Sequence, residues 1–310
     1  PQQYLGPLLS NLRDIRQSIF TSDCWRSFWI IVIGTAILLL YRAKKLKPIY
    51  MIGAIAVLCL GDMWLVNKRY LNDDMFVEKT QRDLPQTMTP TDKQILQDKS
   101  LDYRVLNFAS NTFNENETSY YHESIGGYHA AKLRRYQDLI DTYIAPEMQK
   151  GMKAIAVANG DMTKVSGDSV FPVLNMLNAK YFILPLQNNQ TVPIQNLYVY
   201  GNAWFVDHVD YINNANQEID LLGKLNLRHQ AVADAQFRTQ LGESKVQDAV
   251  SIAQLISYEP NHLIYNINSN KGGILVFSEI YYPGWTATVD GRPVELGRVD
   301  YVLRALNVPG

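Results

Sequence analysis

Six residues in one short stretch have the types and spacing to hold a ligand: Tyr120, His122, Glu123, His129, Lys132 and Arg135, within TSYYHESIGGYHAAKLRRYQ. Tyr and His offer ring faces and hydrogen bonds suited to a sugar. Lys132 and Arg135 are cations that favour a phosphate or another anion. The periodicity predicts a helix from about His129, with Leu133, Tyr136, Leu139, Ile140, Tyr143 and Ile144 as its apolar stripe. Gly126 and Gly127 precede it and permit close backbone approach. With His129 and Lys132 in the first turn, that arrangement is an expected anion site. The structural alternative puts Lys132 and Arg135 on a solvated helix face and has His122 and His129 satisfy turn backbone groups. No metal is expected, because His122-Glu123, five residues and His129 lack the i, i+4 pair of HExxH and a third ligand. GxSxG, CxxC and P-loop patterns are absent as well, and no cofactor is expected.

What must position these residues begins with two apolar runs at the start of the 310-residue chain, about Trp25 to Tyr41 and Pro48 to Val66. Each makes roughly 25 to 29 Å of helix, enough to cross a bilayer core. Between them lies RAKKLK, with Arg42, Lys44, Lys45 and Lys47 and no acid. Short basic loops stay on the cytoplasmic side, so everything after about residue 70 is expected outside. Aromatics bracket the spans: Trp25, Phe28, Trp29 and Tyr41 on the first, Tyr50 and Trp64 on the second. Lys68 and Arg69 oppose this orientation, two cations against four, with Asp73, Asp74 and Glu78 beyond them. Asp62 is a carboxylate within a membrane segment, a position that reads as functional by default. It also lies close enough to the outer edge to pair with Arg26. Cys24 and Cys59 differ in depth by roughly 10 Å, too far for a disulfide.

Residues 1–24 have Leu8, Leu9, Leu12, Ile15 and Ile19 at helical spacing. They read as an amphipathic interfacial helix or one packed on further helices, with Ser22 or Asp23 capping the first span. Both chain ends, PQQYLGPLL and RALNVPG, read as cuts in a larger polytopic protein. Residues 1–72 hold nine Lys and Arg against three Asp and Glu; the remainder hold 20 against 27. An acidic outer part argues against nucleic acid as a partner.

Beyond the hairpin (25–70) a polar connector covers 71–92. An α+β region is expected over 93–248, with a short helix DKQILQDK capped by Thr91 or Asp92. Its strands are expected at about Tyr103 to Ala109, Ala179 to Leu186 and Ala203 to Ile212, with a helix near Asn216. Residues 145–178 read as loop and short helix. Residues 249–310 give the clearest β pattern, with Pro283-Gly284 and Asp290-Gly291 among its turns. Their even spacing predicts an antiparallel, β-sandwich-like module, in which Trp285 opens a strand and buries its ring. The fold class is thus α+β: a transmembrane hairpin, then a mixed α/β region ending in that module.

SEIYYPGWTATVDGRPVELGRVDYVLRALNVPG resembles the C-terminal outer domain of the bacterial YfhO family of membrane proteins. The residues that carry the resemblance are Glu279, Tyr281, Tyr282, Pro283, Gly284, Trp285, Asp290, Gly291, Arg304 and Ala305. SIGGYHAAKLRRYQ and GDMWLVNKRYLNDDMF are also similar to it, in its Bacteroidetes-type versions. The likeness implies a multi-pass protein of the cytoplasmic membrane with GT-C-like glycosyltransferase architecture. It implies transfer of a sugar from a polyprenyl-phosphate type donor to a cell-envelope glycan. In GT-C enzymes the catalytic acid lies in the first outer loop, which is not among these residues, so no catalytic residue is carried over. The alternative is a non-catalytic, membrane-anchored carbohydrate-binding or assembly module.

Overall fold

The structure, a computed structural model, describes residues 2–76, 78, 87–243 and 251–310. It divides into two compact units, Pro1–Pro85 and Gln86–Gly310.

The first unit is a helical hairpin, α1 (Gln2–Arg42) and α2 (Pro48–Tyr70). Leu9–Arg42 and Pro48–Tyr70 are each long and apolar enough to cross a membrane. Large apolar side chains such as Phe20, Ile31, Val57 and Trp64 are exposed, as befits helices whose solvent is lipid. Lys44, at φ 57°, turns the linker, and Pro48 starts α2 where a missing N–H costs nothing. The expected division at residue 24 is absent: α1 runs unbroken from Gln2. No Gly or Pro lies between Pro7 and Gly34 to interrupt it. Asp23 caps nothing; its carboxylate pairs with Arg26 at 3.1 Å and Arg69 at 2.7 Å. Asp62 pairs with Arg26 at 3.1 Å. Four charges thus tie α1 to α2. Both cysteines are free and exposed.

The second unit is mixed α+β. The helix α3 (Pro90–Ile95) is capped by Thr89, one turn earlier than expected, in a reciprocal box with Asp92. A four-stranded sheet follows, in the order β2 (Glu123–Ser124), β1 (Arg104–Asn107), β3 (Ala179–Pro185), β4 (Thr191–Gln195). Its first three strands are parallel and β4 is antiparallel.

Between β2 and β3 runs a helical stretch: α4 (Arg134–Leu139), a π turn (Ile140–Ile144) and α5 (Ala145–Val157). Within 145–178, expected as loop and short helix, Ala145–Val157 is a 13-residue helix, with Pro146 in its first turn, where the missing donor is tolerated. After α6 (Gly167–Val170) comes α7 (Pro172–Met176), whose N-terminal amides are capped from a distance. Buried Glu147 accepts Val173 N–H at 2.9 Å and Leu174 N–H at 3.0 Å.

The larger sheet has six strands in the order β5 (Ala203–Val206), β10 (Gly273–Ile280), β14 (Leu303–Val308), β13 (Gly297–Val299), β7 (Gln230–Asp234), β6 (His208–Ile212). The last pair is parallel, bridged by α8 (Ala215–Leu222), and the other pairs are antiparallel. Strand β10, GILVFSEI, is buried almost throughout, as a central strand covered on both faces must be. Ile274 and Val276 face a helical core with Leu139, Ile144, Phe171 and Phe182. Leu275 and Phe277 face the other way, with Leu306 and Val308. That second face is covered by two ribbons, β8 (Ile252–Glu259) with β9 (His262–Asn268), and β11 (Ala287–Val289) with β12 (Arg292–Val294). In β9 every second residue is exposed, the signature of a ribbon with one wet face.

Residues 249–310 therefore do not form a stand-alone antiparallel sandwich. Three of their strands, β10, β13 and β14, share one mixed sheet with β5, β6 and β7. Parallel pairing of β6 and β7 was not legible because residues 230–234 carry no strong strand pattern of their own.

Candidate functional site

Three strands of the second unit carry a lone charge in an apolar run: Arg104 in β1, Glu279 in β10 and Arg304 in β14. A charge buried in such a strand must find a partner, and these find one another. Arg104 donates to Ser278 O at 2.6 Å, to Leu177 O at 2.9 Å and to Glu279 Oε1 at 3.4 Å. Arg304 donates through Nε to Ile280 O at 2.9 Å and lies 3.9 Å from Glu279 Oε2. The register of β10 against β14 shifts between Phe277 and Ile280. This bulge re-aims Ser278 and Glu279.

Glu279 and Arg304 line a cleft of about 960 Å³. Its walls come from the β8–β9 and β11–β12 ribbons and the sheet face between them. The Trp285 ring lies in it, half-buried, with the Arg304 guanidinium 4.0 Å from its centroid. Tyr265 packs edge-on against Phe277 with centroids 5.0 Å apart. Trp285 stands in the turn before β11, not in a strand, so its ring is a cleft wall and not a plug of the sheet core. Burial lowers the Arg304 guanidinium from its ordinary value, while Glu279 and Tyr265 oppose that shift.

Behind the cleft floor sits a pair of carboxyls. Asp102 is buried, and its Oδ2 accepts Asn202 Nδ2 at 2.9 Å. Its Oδ1 finds no N–H or hydroxyl donor. The Glu123 carboxyl lies near enough to Asp102 for the two to compete for a proton. Burial first, then Asp102, pushes Glu123 up to about 7; Arg104 and the Tyr258 hydroxyl oppose the shift. Tyr258 of β8, one strand of the ribbon beside the cleft, lies next to this pair.

The six residues expected to form one ligand-facing surface are thus dispersed. Glu123 joins the charged network. His122 is buried, and its Nε2 meets Asp92 Oδ1 at 2.9 Å. Arg135 reaches fully buried Glu218 at 2.9 Å and stacks on Tyr301, 4.5 Å from the ring centroid. Lys132 lies over Phe113 at 5.5 Å. Tyr120 and His129 are exposed, and His129 Nδ1 accepts Ala131 N–H at 3.0 Å. The helix begins at Arg134 instead of His129, so neither His129 nor Lys132 sits in its first turn. The two glycines serve packing. A Cβ on Gly126 would come within 1.9 Å of Thr112 O, and Gly127, at φ +115°, donates to the same carbonyl at 2.7 Å. Asp62, the membrane carboxylate, is engaged by Arg26.

Asp102, Arg104 and Tyr265 were not foreseen. The available signal was the isolated charge inside an apolar strand; the partners are 175 residues apart for Arg104 and Glu279, beyond any local pattern. Among the described residues no group of three or more His, Cys, Asp or Glu could hold a metal ion. No family model, curated protein or solved structure matches the chain.

Proposed function

We propose that the chain is the membrane hairpin and extracytoplasmic region of a YfhO-like multi-pass protein of the cytoplasmic membrane. Its cleft engages a glycan, as donor or acceptor, in transfer of a sugar from a lipid-phosphate carrier to a cell-envelope polymer. One observation carries this reading. Of the ten residues behind the family resemblance, Glu279, Pro283, Gly284, Trp285, Asp290 and Arg304 line the same cleft. Residues that a fold needs only for packing have no reason to gather at one opening. The hairpin supports the membrane part, with its basic linker inside and the acidic second unit outside.

A binding role without chemistry is the second reading, and the bonding of the floor favours it. Glu279 and Arg304 are each engaged by neighbours, which suits recognition better than proton transfer.

The test uses the full-length protein in its own cell. Trp285→Ala and Arg304→Met should sharply reduce envelope sugar at unchanged membrane abundance. Unchanged modification with both variants overturns the role of the cleft. Orientation is read with an impermeant thiol reagent after replacing Cys24 and Cys59. Leu197→Cys should react in spheroplasts, and Lys45→Cys only after permeabilisation. The reverse pattern overturns the topology.

A further inference from the structure

The cleft's charge and ring geometry specify more than the presence of a ligand. We infer that it takes a neutral polyhydroxylated ring, a hexose-type unit, and rejects phosphate and other anions; this rests on the cleft being the binding site proposed above.

The first argument is charge. Among the described lining residues Arg304 is the single Arg or Lys. Glu279, itself on the floor, lies between Arg304 and Arg104, and buried Asp102 stands behind them. Two guanidiniums therefore face two carboxylates, and Asp290 on the β11–β12 turn adds a further negative charge at the rim. Glu123, with its proton retained to about pH 7, adds little negative charge below that pH. A phosphate would have to take Arg304 from Glu279 inside a site with no positive excess. That leaves buried Glu279 with Arg104 alone, at 3.4 Å, and sets the phosphate's charge beside it, a penalty that the new contact must first offset. A hydroxyl, as donor and acceptor together, can add to a carboxylate–guanidinium pair without breaking it.

The second argument is shape. The Arg304 guanidinium carbon lies over the Trp285 ring, 4.0 Å from its centroid, and Tyr265 of β9, packed edge-on against Phe277, lines the same cleft. Flat apolar faces bordered by hydrogen-bonding groups match a pyranose, which has a C–H face and an equatorial belt of hydroxyls. Asn266 and Thr288 supply both donors and acceptors on the walls. Glu279 and Arg304 are themselves buried to about nine-tenths, so the polar floor is fixed before a ligand arrives.

The experiment titrates the full chain, in detergent micelles or nanodiscs, with methyl glycosides of glucose, galactose, mannose and N-acetylglucosamine. Inorganic phosphate and glycerol phosphate are run beside them. Saturation-transfer NMR on the ligand C–H protons reports binding. At least one glycoside should bind saturably, undisturbed by excess phosphate. Trp285→Ala should weaken it by about tenfold or more, while Trp285→Phe, which keeps a ring face and the fold, should retain most of it. Binding of phosphate without glycosides, displacement of the glycoside by phosphate, or no glycoside binding to the folded chain each overturns the inference. So does glycoside binding that Trp285→Ala leaves unchanged. The two proposals fail separately. Glycoside binding with normal envelope sugar in the cleft variants removes the transfer role and keeps the ligand class. Lost envelope sugar with no glycoside binding does the opposite.

Discussion

The hairpin and the second unit each hold their parts together with a small network of charges, and the two networks solve different problems. In the hairpin, Asp23, Arg26, Asp62 and Arg69 join two helices whose apolar side chains stay exposed. Lipid is as apolar as those side chains, so hydrophobic burial gives little force between the helices, and polar contacts and close packing must supply it. In the second unit, Asp102, Arg104, Glu123, Glu279 and Arg304 sit where two sheets meet, within a large apolar core. Burial already supplies the stability there. The network instead fixes which residues face the cleft. One network holds helices together; the other fixes the position of a floor.

Three measurements would sharpen or break this contrast. The largest effect should come from pH. Buried Glu147 and Asp300 are each pushed up to about 8, by burial in the first place, and Glu123 to about 7. All three have folded pKa values above their unfolded ones, so the folded state holds more protons. Their contribution is complete below about pH 4 and is lost as pH rises through 7 to 8. The second unit's melting temperature should therefore fall from pH 5 to pH 9. Glu147→Gln and Asp300→Asn should flatten the profile; a temperature that rises with pH refutes the assignment.

Next is Arg104→Ala, which leaves Glu279 and Asp102 buried beside an empty place. It should cost about 3 to 5 kcal/mol, read by denaturant unfolding. A loss under 1 kcal/mol would mean that water reaches the network. The smallest effect belongs to the hairpin. Arg26→Ala should weaken association of the helices by about 1 kcal/mol, read as reduced cross-linking between cysteines placed at Gly34 and Leu58, which meet at the helix contact. No change would assign the association to packing alone.

The hairpin was legible because its signal is local: two long apolar runs, a basic linker and no breaker. The same locality misled at Asp23, where a capping residue type was in fact an ion-pair partner on the other helix. In the second unit the strands of the last sixty residues were visible from alternation and from Asp290-Gly291, whose positive φ values of 49° and 76° make the turn. Their membership in a sheet with residues 203–234 was not, because pairing between distant strands leaves no periodic trace. The ligand cluster failed for the same reason. Types and spacing placed His122, Glu123 and Arg135 together, but each answers to a carboxylate, Asp92, Asp102 or Glu218, supplied from elsewhere in the chain.

The shared sheet has a consequence in time. Val206 pairs with Ile274, and Ala233 with Val299. A nascent chain that has reached Asp234 can form the local unit of β6, α8 and β7. It still holds β5 unpaired, since its partner β10 has not yet been made. Sheets assembled from such distant strands form slowly and late, and open apolar edges invite pairing with a neighbouring chain. The larger sheet is therefore completed only after β14, which pairs with both β10 and β13, has been made.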